Sequence, residues 1–170
     1  MKNILIIDDE KDILKSVNAI LTEEGYKCYE ALNSKDALNI YYSHKIDLIL
    51  LDVWLEDSDH DGIEILEIIR SKNSVPIILM SGHGNIDMAV NAIKKGAQEF
   101  IEKPFSSERL LLSVDRTLEI TKITEENINL KNKEIFDYQF IGTSQSITKV
   151  KQLIEKVAPT SSRVLIQGES

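Results

Sequence analysis

The sequence predicts an α/β fold, a doubly wound five-stranded parallel sheet with helices on both faces. Three observations carry this. Short apolar runs at residues 4–7, 48–51 and 77–80 are each bounded by polar or turn residues, as strands buried on both faces require. Weaker strand patterns at 27–31 and 99–102 complete a set of five. Amphipathic stretches with apolar residues at helical spacing separate the strands. Such alternation implies parallel pairing through right-handed crossovers, and among the few remaining topologies the flavodoxin-like order 2-1-3-4-5 is expected.

In the first helix, Ile13, Leu14, Val17, Ile20 and Leu21 share one face, and Gly25 stops it. Asn33 with Asp36 reads as the cap of a second helix carrying Ala37, Leu38 and Tyr41. Ile63, Leu66 and Ile69 mark a third. Asn85 is expected to cap a fourth, with Ile86, Ala89, Val90 and Ile93 inward and Gly96 at its end. Ser106 is expected to cap a fifth through Leu110, Leu111, Val114 and Leu118. Residues 119–135 lack glycine and proline and read as a continuation of that helix or a helical linker. A heptad seam through Leu111, Val114, Leu118 and Ile128 would be interrupted by Thr121 and Glu125.

A new module is expected from residue 140. Phe140-Ile141-Gly142-Thr143 reads as a turn, and Ser144 as the cap of a helix with Ile147, Val150, Leu153, Ile154 and Val157, ended by Pro159. Residues 163–167 form a strand candidate. One helix and one strand cannot bury a core of their own, so this segment reads as the front of a larger domain. The expected organisation is a domain at 1–120, a helical linker at 121–139 and a fragment at 140–170.

Composition narrows the function. The 170 residues are 42% hydrophobic and 28% charged, which suits a folded soluble domain. The net charge of −8 opposes contact with nucleic-acid backbones. The lone cysteine, Cys28, reads as a packing residue and suits a reducing compartment. No apolar run approaches the roughly 18 residues of a membrane span, and the N-terminus reads as a strand instead of a signal peptide. A cytoplasmic location is expected. His44, His60 and His83 match no zinc spacing.

Chemistry in such sheets lies at the carboxyl ends of the strands. Asp8 and Asp9 follow the first strand and Asp52 ends the third; in the expected order these strands are neighbours, so the carboxylates converge. Like charges brought together are costly, and a divalent cation such as Mg²⁺ would offset them. Ser81 follows the fourth strand and Lys103 the fifth, at the same rim. A hydroxyl and an ammonium there could bind a phosphoryl group carried by Asp52, whose carboxylate is a competent nucleophile.

Asp8-Asp9, Asp52, Ser81 and Lys103-Pro104, in this order, resemble the response-regulator receiver pattern of bacterial two-component systems over about residues 1–120. Ser81-Gly82-His83-Gly84-Asn85-Ile86 and Phe100-Ile101-Glu102-Lys103-Pro104-Phe105 are similar to the NtrC group, and with Asp52-Val53-Trp54-Leu55 to its NtrX branch. The resemblance implies phosphorylation of Asp52 by a sensor histidine kinase. It implies a Mg²⁺ site with Asp9 as direct ligand, Asp8 acting through water, and Asp52 and the backbone carbonyl of Trp54 beside them. It further implies switch roles for Ser81, Lys103 and Phe100, a cis bond before Pro104, and a homodimer through the fourth helix, fifth strand and fifth helix. Ile141-Gly142-Thr143-Ser144 and the run from Val164 to Ser170 are similar to the opening of the AAA+ ATPase domain in this group. Gly168, Glu169 and Ser170 would only begin its phosphate loop, so no ATP binding is expected. A transcriptional output in nitrogen regulation, with DNA contacted only through a further domain, follows from the same resemblance. The segment Glu56-Asp57-Ser58-Asp59-His60-Asp61 is more acidic than the family pattern.

Three other readings fit less well. A phosphohydrolase of the haloacid-dehalogenase type needs an acid two residues after its nucleophile, where Trp54 stands. A flavin carrier needs a hydroxyl- and glycine-rich loop after the first strand, where Asp8-Asp9-Glu10 would repel phosphate. A receiver-like module that is never phosphorylated would not need the full acceptor set.

Overall fold

A computed structural model describes residues 1–56, 58–72, 74–82, 86–137, 142–160, 163–165 and 167. Its strands are β1 (Asn3–Ile7), β2 (Lys27–Ala31), β3 (Leu48–Asp52), β4 (Ile77–Ser81) and β5 (Glu99–Glu102). Its helices are α1 (Lys11–Glu23), α2 (Ser34–Ser43), α3 (Gly62–Arg70), α4 (Ile86–Lys94), α5 (Ser107–Asp137) and α6 (Gln145–Val157). The strands form one parallel sheet in the expected order, β2-β1-β3-β4-β5.

The apolar runs are continuous because both faces of the sheet are covered. Ile4, Ile6, Leu48, Leu50, Ile78 and Met80 meet Leu14, Val17 and Leu21 of α1 and Leu110 and Val114 of α5. Leu5, Ile7, Ile49, Leu51, Ile77 and Leu79 face Ala37 and Tyr41 of α2, Ile65, Leu66 and Ile69 of α3, and Ala92 of α4. Helix ends follow local chemistry. Asn33 caps α2 by accepting from the Asp36 amide at 2.9 Å, and Gly25 takes a φ of 84° after α1. Asp61 and Glu64 form a reciprocal capping box that starts α3.

Two expectations are corrected. In α4, Ile86, Val90 and Ile93 point outward, with Ile86 83% exposed; Ala92 is buried and Met88 packs on the core. The helix carries apolar residues around more of its circumference than the sheet can cover, so periodicity alone did not fix its inward face. The residues of the heptad pattern, interrupted in sequence at Thr121 and Glu125, serve the core instead: Val114 is buried against the sheet, and Leu111 and Leu118 pack on the same cluster. Finally, Arg163, Val164, Leu165 and Gln167 form no strand, and Val164 and Leu165 are exposed. A strand needs a neighbour to satisfy its backbone groups, and none pairs with these residues among those described. The proposed cap Asn85 and the segment Gly168-Glu169-Ser170 lie outside the described residues.

The chain divides into two compact units, Met1–Thr124 and Glu125–Ser170. In the second, Ser144 caps α6 through the Ile147 amide. No helix among the described residues is long and apolar enough to cross a membrane.

Candidate functional site

The sheet register builds the site. Ile7 pairs with Leu51 and Asp52 with Met80, so the carboxyl ends of β1, β3 and β4 lie level. The chain leaving β1 places Asp8 and Asp9 beside Asp52, and one carboxylate oxygen from each lies within 4.8 Å of the others. Asp8 is fully buried, Asp52 is 5% exposed and Asp9 is half-buried. Ser81 is buried as the last residue of β4, and the Lys103 amide donates to its carbonyl at 2.8 Å. The Lys103-Pro104 peptide bond is cis.

Each acid has a distinct set of partners. Asp8 accepts from the Glu10 amide at 3.0 Å and from Lys103 Nζ at 2.6 Å. Asp9 accepts from the Glu56 amide at 3.2 Å, which ties the acidic loop to the site. Lys103 Nζ lies 3.3 Å from Asp52 Oδ1, an ion pair by distance. No hydrogen bond of standard geometry reaches that buried oxygen among the described residues, so the ammonium serves it mainly as a nearby charge. Burial lifts the Asp52 carboxyl from 3.8 to about 6; the Asp8 and Asp9 charges add to the rise and Lys103 opposes it. Burial pulls Lys103 down, but the bond to Asp8 and the charges of Asp52 and Asp8 outweigh it and hold the ammonium above its ordinary value.

Such an arrangement suits a hard cation. Oxygen ligands converge, and their mutual repulsion is only partly offset by Lys103. The cleft is walled by Asp9, Glu10, Asp52, Trp54, Leu55, Glu56, Gly82 and Lys103, and the Trp54 side chain is 53% exposed. Phe100 is half-buried against the core cluster shared by α2, α3 and α4. His83 lies outside the described residues.

Two residues of the site were not legible in the sequence. A Cβ on Gly62 would stand 2.0 Å from the Asp52 carbonyl oxygen, so the start of α3 lies directly against the backbone of Asp52. Its amide donates to the Val53 carbonyl at 3.0 Å. The signal was a glycine at the first position of a helix, where no unusual φ calls for one. Met88 approaches the Ser81 hydroxyl from α4, and no sequence signal marks it.

Residues 4–115 match the family model described as the response regulator receiver domain. The chain is 44% identical over 168 residues to a putative NtrX-like response regulator of Rickettsia bellii (strain RML369-C), covering 98% of this chain and 35% of that protein. It is 42% identical over 169 residues to the nitrogen assimilation regulatory protein NtrX of Azorhizobium caulinodans, covering 99% of this chain and 37% of that protein. The chain thus spans little more than a third of the length of these relatives. Among solved structures, NtrX from Brucella abortus is similar with a TM-score of 0.74 at 40% identity, over 95% of this chain and 36% of that one. The receiver domain of the same protein is similar with a TM-score of 0.66 at 43% identity, over 68% of this chain and 98% of that one.

Proposed function

Because the chain belongs to the response-regulator receiver family, and to its NtrX-like members, we propose that it accepts a phosphoryl group on Asp52 from a sensor histidine kinase. The observation that carries this reading is the convergence of the buried Asp52 carboxylate with two further carboxylates and one ammonium at the carboxyl ends of the strands. The Asp52 carboxylate attacks the phosphorus of a phosphohistidine. The new O–P bond makes an acyl phosphate, the P–N bond breaks, and the imidazole leaves with the electron pair. Asp9, Asp52 and the Trp54 carbonyl would hold Mg²⁺ directly and Asp8 through water. When bound, the ion supplies positive charge against the transferring oxygens. Lys103, which pairs with Asp8 and Asp52, would pair with the phosphoryl group once it is attached. Ser81 would turn its hydroxyl onto that group, and Phe100 would follow inward.

Phosphorylation is proposed to favour a homodimer through α4, β5 and α5. The support is the outward apolar face of α4, where Ile93 borders the same groove as Phe100 and Ile120. On this reading residues 1–120 are the receiver, 121–139 a helical linker and 140–170 the opening of an AAA+ ATPase domain. The remainder of such a protein, in the cytoplasm, would carry the ATPase and DNA-binding output; this part is a signalling domain. Incubation with Mg²⁺ and a small-molecule phosphodonor should add one phosphate, read by intact mass, and Asp52→Asn should abolish it. An acyl phosphate mapped to another residue overturns the assignment.

A further inference from the structure

The Ser81 hydroxyl lies 4.0 Å from the Met88 sulfur, within reach of a weak hydrogen bond to a thioether. Ser81 is itself fully buried at the end of β4. The helix that carries Met88 rests lightly on the domain: Ala92 is its one buried residue among those described, and Ile86, Val90 and Ile93 are exposed. Met88 stands one helical turn before Ala92 and therefore on the same face. Along with Phe100, it packs on the core cluster that α4 shares with α2 and α3. The footing of α4 thus includes a side chain in contact with the hydroxyl of the last residue of β4.

We propose that Met88 is a positioning residue, whose thioether holds the Ser81 hydroxyl on the α4 side. Drawing Ser81 onto a phosphoryl group at Asp52 then releases Met88 and loosens α4. This inference rests on the reading of Asp52 as the acceptor. The contact is weak, which suits a switch: a strong hold would lock the resting state, while a weak one biases an equilibrium between two closely balanced states. It also gives α4 a direct connection to the hydroxyl, in addition to any movement of Phe100.

Beryllofluoride with Mg²⁺, a stand-in for the phosphoryl group, provides the test. Met88→Leu keeps the volume and removes the sulfur acceptor. It should tighten beryllofluoride binding about two- to fivefold, the worth of one weak hydrogen bond. Combined with Ser81→Ala, the same substitution should lose this gain, because the hydroxyl of this contact is gone. The chain contains three methionines, so methyl-¹³C methionine labelling gives few signals, and Met88→Leu assigns the relevant one. That signal should shift when beryllofluoride binds the unmodified chain and stay fixed in Ser81→Ala. Unchanged affinity in Met88→Leu, an equal gain in the Ser81→Ala background, or a static methyl signal in the unmodified chain each overturns the role of Met88. Failure of the unmodified chain to bind beryllofluoride at all overturns the acceptor reading itself, and this inference with it.

Discussion

Replacing Asp52 by asparagine removes one of three converging charges while keeping the side-chain shape, so the metal-free protein should become more stable. Its carboxyl is lifted from 3.8 to about 6, which corresponds to about 3 kcal/mol against the ionised form. The site opens on solvent, and asparagine gives up the ion pair with Lys103. About 1–2 kcal/mol is therefore the expected gain at pH above about 7. The sign follows from linkage. A carboxyl raised on folding contributes stability that is present below about pH 4 and is lost as pH rises through about 6. Asparagine does not titrate, so its advantage should be full above about pH 7 and close toward pH 4. Urea unfolding of both proteins in a chelator, at several pH values across that window, measures the gap. Adding Mg²⁺ should narrow it, because the ion binds the folded wild type more tightly than the variant. A variant no more stable than wild type at neutral pH, or a gap that does not change with pH, would refute the reasoning.

Gly62→Ala sets a Cβ 2.0 Å from the Asp52 carbonyl oxygen, so α3 or the end of β3 must shift. A loss of roughly 2–4 kcal/mol is expected by urea unfolding, together with slower phosphorylation by a small-molecule donor. Lys103→Gln leaves the fully buried Asp8 without its cation. Destabilisation of about 2–4 kcal/mol in chelator should be partly recovered in Mg²⁺, visible as a larger metal-dependent rise in Tm than in wild type. Asp61→Ala removes the capping box of α3 and should cost about 1 kcal/mol in the same unfolding assay. Because the same loop is tethered to Asp9 through the Glu56 amide, hydrogen exchange at Glu56 should also accelerate.

The strands were legible because a parallel strand buried on both faces must be a short continuous apolar run, and the runs at 48–51 and 77–80 fall in β3 and β4. Strand–helix alternation then fixed the topology. The topology in turn indicated that Asp8, Asp9, Asp52, Ser81 and Lys103 share one rim, since each stands at or just after a strand's carboxyl end. These are local or topological facts, and a linear sequence carries them. Tertiary structure decided what depends on which surfaces meet. The inward face of α4 belongs to Met88 and Ala92 because the sheet covers only part of a helix that is apolar around much of its circumference. Val114 was spent on the receiver core and not on a helical seam for the same reason. The approach of Gly62 to Asp52, the tether of Glu56 to Asp9 and the contact of Met88 with Ser81 join residues from different elements. No periodicity or motif encodes those distances; they exist only once the sheet register and the packing of α3 and α4 have been set.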